Sequence, residues 1–185
     1  MNFAIQHSYL IPLLPLIAAA FVGLAGKRGL RGLSHLPIWL GVLGSAVLSF
    51  MILGGLLGHG TEQKAVAVEW FKWIDAGNAN GGSFSAAAGA WIDPLTAVML
   101  CVVCGIGFLI TVFAAGYMKG EAGYWRFFSY LGLFIFAMTC LVMGDNLILL
   151  YLGWEGVGLC SYLLIGYYYD KPAAREAAKK AFLVN

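Results

Sequence analysis

From residue 37 to residue 57 the chain runs without a single charge, and stretches of the same kind recur along its length. About 20 apolar residues wound as an α-helix are enough to cross the roughly 30 Å hydrocarbon core of a bilayer. Composition agrees with that reading. Of 185 residues, 61% are hydrophobic and 11% charged, whereas soluble domains carry about 45–50% apolar and about 25% charged residues. So few charges cannot cover a water-facing surface, which excludes a lone soluble domain, and the apolar content excludes a disordered chain. A net charge of +2 is too small to suggest a nucleic-acid partner. Four cysteines in such a chain do not make a disulfide scaffold. The predicted fold class is an all-α integral membrane protein, a multi-span helix bundle whose surroundings are the lipid bilayer.

Five apolar runs, at about 9–25, 37–57, 95–118, 127–143 and 147–169, predict five complete spans. No Lys or Arg precedes the first, so it lacks the charged start of a secretory signal. Asp93-Pro94 opens the third: Asp is a good N-cap, and Pro is favoured at the first helical position. Pro172 opens a sixth helix that turns apolar only at Ala181, so only the start of a sixth span is expected. Residues 59–91 differ in character. Two patches rich in β-branched and aromatic residues, Ala65 to Phe71 and Phe84 to Trp91, flank a Gly-Asn-Ala-Asn-Gly-Gly turn. That pattern fits a short β-hairpin on the membrane surface and fits an irregular loop equally well. The chain thus divides into a two-span region with its extramembrane loop, 1–92, and a second region, 93–185.

Lys and Arg in alternate loops set the orientation. Lys27, Arg28, Arg31, Lys119, Arg126, Lys171, Arg175, Lys179 and Lys180 fall on one side, against Lys64 and Lys72 on the other. Nine against two predicts an N-terminus outside, with loops 26–36, 119–126 and 170–180 on the cytoplasmic side.

Glu155 is the one acid or base in the middle of a span. It lies nine residues into a helix beginning near Asn146, roughly 13 Å deep at 1.5 Å per residue. A carboxyl at that depth is costly unless it meets protein or water, so its default reading is a group that takes up and releases protons. The alternative is a protonated Glu hydrogen-bonded to a neighbouring helix. Gly153, Gly156 and Gly158 thin the helix on more than one side, and Gly156 with Cys160 forms a small-xxx-small pair. Cys101 and Cys104 form a C-x-x-C, but on a span with no second pair and no nearby His they are expected to pack as small hydrophobes. His7, His35 and His59 have no ligand spacing, and no glycine cluster has the strand–loop–helix setting of a phosphate loop. No catalytic, cofactor-binding or metal residue is therefore assigned. Trp and Tyr near the span ends read as interfacial anchors.

The stretch from Gly153-Trp154-Glu155-Gly156 through Ser161-Tyr162-Leu163-Leu164-Ile165-Gly166 resembles subunit L of the proton-pumping NADH-quinone oxidoreductase, respiratory complex I. Gly116-Tyr117-Met118, Arg126-Phe127-Phe128-Ser129-Tyr130-Leu131 and Lys180-Ala181-Phe182-Leu183-Val184-Asn185 agree with it. The resemblance implies an antiporter-like membrane subunit in which Glu155 belongs to a buried relay of acid, Lys, His and water, with Lys180 a candidate support. It also implies NADH, FMN, iron–sulfur clusters and quinone in partner subunits, none on this chain, and a place in a bacterial inner membrane. Members of that family are several times longer and continue past the Val-Asn with Arg-Val-Gly-Asp, so an N-terminal fragment is expected, with 93–185 the truncated start of the proton-translocating region. A subunit of a Mrp-type sodium/proton antiporter is the alternative; the residues after Glu155 favour the first reading.

Overall fold

In hydrocarbon each backbone N–H and C=O must find its partner within the protein, and a helix provides that locally. The apolar runs obey. The computed structural model describes residues 3–58, 65–77 and 83–185; His59, Lys64 and most of the glycine-asparagine turn lie outside them. After a single turn at Phe3–Gln6 come α1 (Leu10–Ala25), α2 (His35–Gly58), strands β1 (Val66–Gly77) and β2 (Ser83–Ile92), α3 (Pro94–Tyr117), α4 (Tyr124–Met143), α5 (Leu147–Ile165) and α6 (Pro172–Val184).

Among the described residues, four helices are long and apolar enough to cross a membrane: α2, α3, α4, and α5 with the short 3-10 turn that carries it to Tyr168. The first apolar run is shorter. Its α-helical part has 16 residues, about 24 Å at 1.5 Å per residue. Instead of ending in a loop at Gly26, the winding continues through a π-turn, Gly26–Leu30, and a 3-10 turn, Arg31–Leu33, into α2. A second π-turn, Val102–Ile106, interrupts α3. Asp93 caps α3 as its sequence predicts, accepting the Thr96 N–H at 2.7 Å with Pro94 following.

Helix α1 packs between α2 and α4. Pro15 lies inside it and has no N–H to give the Ile11 carbonyl. The Ser45 hydroxyl of α2 donates to that carbonyl instead, at 2.7 Å. Gly41, one turn earlier, allows the approach: a Cβ there would stand 2.8 Å from the Leu14 oxygen. On the other side of α1, Ser129 of α4 donates to the Ala19 carbonyl at 2.9 Å. Two groups of buried side chains fill the spaces between, one around Ile11, Ile52, Leu100 and Met143, the other around Val22, Ile38, Phe128 and Ile135.

β1 and β2 pair antiparallel, Val66 opposite Ile92 and Gly77 opposite Ser83. The pair is fastened to the bundle. Trp70 Nε1 donates to Ser8 Oγ at 3.1 Å, Asn146 Nδ2 donates to the Ala87 carbonyl at 2.7 Å, and Ala90 bridges Gly144. Asn146 also caps α5, its side-chain oxygen accepting the N–H groups of Ile148 and Leu149. Successive helices run antiparallel. The strands and the α4–α5 turn therefore stand at one end of the bundle, and the 26–33, 117–124 and 166–172 connections at the other.

Helix α5 meets α4 through Gly153 and Gly156. A Cβ on Gly153 would lie 2.6 Å from the Leu141 nitrogen, and one on Gly156 would lie 2.9 Å from the Ala137 methyl. Backbone cannot step aside as a side chain can, so Gly153→Leu should lower stability by about 1–3 kcal/mol. Gly54→Leu, on α2 with nothing within 4 Å of its Cβ position, should stay within about 0.5 kcal/mol of wild type. Thermal unfolding of the detergent-solubilised variants measures both; equal losses would contradict the close α4–α5 contact.

Candidate functional site

Helix α5 has two packed faces. Gly153, Gly156 and Cys160 lie toward α4 and, with Phe136 and Cys140, line an apolar cavity of about 180 Å³. A second face meets α6, which runs antiparallel to α5. Ala178 sits at Gly166, the Phe182 ring lies 5.7 Å from the Tyr162 ring, and Asn185 packs on Gly158. The Trp154 indole N–H donates to the Asn185 carbonyl at 3.3 Å. Glu155, three residues before Gly158 and seven before Tyr162, lies on this same side of α5, about one turn past the Gly158–Asn185 contact.

Glu155 is exposed among the described residues, not enclosed by the five other helices. At about 100° per residue, Glu155 stands well away from the glycine face that α4 occupies. Gly153 and Gly156 thin the face toward α4, and Gly158 the face toward α6. Tyr151, one turn before on the same helix, is the polar side chain that interacts with Glu155. Among the described residues no Lys or Arg is within ion-pair distance of it. Lys180 is also exposed. It stands on the side of α6 away from Ala178, Phe182 and Asn185, so the structure does not bring Lys180 to Glu155.

The C-x-x-C cysteines are at the π-turn of α3. Cys101 and Cys104 are both buried free thiols, as are Cys140 and Cys160. Of the described histidines, His7 and His35 stay apart from each other, but His35 has company that spacing does not reveal. Its Nδ1 is 3.0 Å from the Tyr124 hydroxyl and its ring is 4.6 Å from that of Trp39. The tyrosines at the end of α5 are likewise held by cations. Arg126 stands 5.4 Å and 5.1 Å from the ring centres of Tyr167 and Tyr169, and Lys171 is 4.8 Å from that of Tyr168. Alternation of aromatic and basic residues across 119–180 is the signal that could have pointed to this cluster.

What this arrangement can do is limited and specific. A single carboxyl with a tyrosine hydroxyl, halfway along an otherwise apolar helix, can hold and release one proton. Known proteins narrow the reading. Residues 73–128 match the family described as NADH-Ubiquinone oxidoreductase (complex I), chain 5 N-terminus, and residues 144–185 match NADH:quinone oxidoreductase/Mrp antiporter, TM. NADH-quinone oxidoreductase subunit L of Escherichia coli (strain K12) is 44% identical over 173 residues, 94% of this chain and 27% of that protein. The chain belongs to the complex I subunit L family. The subunit L of Pseudomonas aeruginosa is 52% identical over 124 residues, 67% of this chain and 19% of its own. F(420)H(2) dehydrogenase subunit L of Methanosarcina mazei is 42% identical over 180 residues, 97% of this chain and 25% of its own. The chain thus spans about a quarter of the length of the curated relatives it matches. With its four long apolar helices it is an integral membrane protein.

The exposure of Glu155 is open to a direct test. In the detergent-solubilised protein, a cysteine placed by Glu155→Cys should react with N-ethylmaleimide much faster than buried Cys140 and Cys160. Protection of position 155 equal to theirs would put the carboxyl inside the bundle instead.

Proposed function

We propose that this chain forms part of a proton-translocating membrane subunit of an NADH-quinone oxidoreductase, with Glu155 as the protonatable group of its relay. Glu155 itself carries the proposal: a carboxyl halfway along a span must face protein or water, never acyl chains alone. The α6-facing side of α5 is where that protein or water would meet it. Burial in such a site keeps the relay apart from bulk solvent while quinone reduction in partner subunits drives it. Lys180 stands apart and is not needed for this first step.

The relatives support a role in translocation more than in electron chemistry. Their names give different electron donors, NADH in one and F(420)H(2) in another, yet their similarity to this chain is nearly uniform. What they share in this region is then independent of the donor. NADH, FMN, iron–sulfur clusters and quinone are accordingly assigned to partner subunits, and this chain alone should not oxidise NADH. The family description that covers residues 144–185 includes Mrp antiporters, so a sodium/proton antiporter subunit is the second reading. The subunit L names of relatives matching nearly the whole chain favour the first.

The orientation proposed is an N-terminus outside, with five crossings by α1 to α5 and a sixth begun by α6. The basic majority at the 26–33, 117–124 and 166–172 end supports it. Cysteines placed at position 31 and within 62–82 should be labelled by membrane-impermeant reagents from opposite faces; labelling from one face would overturn the topology.

In the assembled complex, Glu155→Gln should reduce proton translocation sharply while assembly stays near normal, because Gln keeps the size and hydrogen bonding but carries no titrating proton. Glu155→Asp should retain more activity than Gln. Proton uptake by reconstituted vesicles measures this, and wild-type pumping by the assembled Gln variant would make Glu155 structural.

A further inference from the structure

At the end of the bundle away from the strands, α4, α5 and α6 enclose a cavity of about 330 Å³. We propose that it binds the phosphate headgroup of an anionic phospholipid. The inference does not depend on the role of Glu155. Arg126, Arg175 and Lys179 line the cavity together with Tyr130, Tyr162 and Tyr169, and no carboxylate is among its lining residues. Three cations around one cavity leave a positive charge that a phosphodiester would neutralise.

The cations are held in ways that leave them free to bind. Arg126 is half-buried in the first turn of α4, with its guanidinium over the rings of Tyr167 and Tyr169. Those rings position the cation without cancelling its charge. Tyr167 is itself fixed, its hydroxyl donating to the Ala122 carbonyl at 2.9 Å. Among the described residues neither Arg126 nor Arg175 has an ion-pair partner, so both planar forks of N–H donors are available to phosphate oxygens. Lys179 pairs with Glu176 at 2.9 Å, and both side chains are mostly exposed. Lys179 holds the Glu176 carboxyl below the ordinary carboxylate value. An exposed pair of that kind is weak, and Lys179 can exchange it for a phosphate.

Location selects a lipid over a free anion. Arg126 opens α4, Tyr162 and Tyr169 close α5, and Arg175 and Lys179 stand in the first two turns of α6, so the cavity lies at the depth where spans leave the bilayer. Its volume is at the lower end of the range for ligand pockets, roughly 300–1,000 Å³, suited to a headgroup whose chains remain outside. Along the α5–α6 seam, exposed Phe182 beside Tyr162 offers apolar surface to such chains. Basic pockets between membrane helices are suited to anionic headgroups for this reason.

The full chain, purified in detergent and stripped of lipid, is titrated with dioleoylphosphatidylglycerol, dioleoylphosphatidylcholine or inorganic phosphate, and bound molecules are counted by native mass spectrometry. Phosphatidylglycerol should bind at least about tenfold more tightly than phosphatidylcholine, and Arg126→Gln/Arg175→Gln should abolish that preference. Arg126→Lys/Arg175→Lys should keep most of it. If the first double variant loses helical circular dichroism, Arg175→Gln/Lys179→Gln, on exposed positions of α6, replaces it with the same expectation. Equal binding of the two lipids, an unchanged preference in the folded Gln variants, or inorganic phosphate displacing the lipid at equal concentration would each overturn the proposal.

Discussion

The demand that every backbone polar group inside a bilayer find a partner within the protein governs this structure. It makes the apolar runs helical, and it also dictates how they meet. Pro15 leaves the Ile11 carbonyl of α1 without its helical donor, and the Ser45 hydroxyl of α2 supplies one. That repair requires close approach, which Gly41 permits. With α1 thus bound to α2 and tied to α4 through Ser129, a helix of only 16 α-helical residues becomes the centre of the N-terminal bundle. Small and hydroxylated residues do here what apolar burial does in water, since lipid gives helices no hydrophobic reason to associate.

The same economy of small residues explains the position of Glu155. Gly153 and Gly156 are spent on the contact with α4, and Gly158 on the contact with α6. The carboxyl lies on the α6-facing side, about one turn from the Gly158–Asn185 contact, with Tyr151 of its own helix one turn away. A mid-span acid needs a protein or water partner. Its stability in a membrane depends on what meets that side, and this ties the group to assembly as well as to proton movement. The strands, by contrast, are closed onto the bundle through Trp70 and Asn146.

Much of this was legible beforehand where the signal is local. The start of α3 followed from Asp93-Pro94, and the hydrogen bond from Thr96 realises it. The apolar runs located α2 to α5 within a few residues, and the chain register located Glu155 along α5. Partnerships between distant residues were not legible. The serine that completes Pro15 is 34 positions from the carbonyl it serves, and the Asn146–Ala87 bond spans 59. Helices apolar all round give no periodic mark of which face turns inward, so the seating of α4 on Gly153 and Gly156 could not be foreseen. The two π-turns have no composition of their own, and Arg126 reads as a loop charge until the fold brings Tyr167, Tyr169 and α6 around it.

The account stands or falls on whether the Glu155 carboxyl changes its protonation state. Infrared difference spectra of the assembled complex, recorded between resting enzyme and enzyme turning over quinone, report protonated carboxyl groups through their C=O stretch. A band that appears in the wild type, shifts in carboxyl-labelled isotopes and is missing from Glu155→Gln is the result expected. Identical difference spectra for the two proteins would show that this carboxyl keeps its proton throughout, and the relay role would be withdrawn.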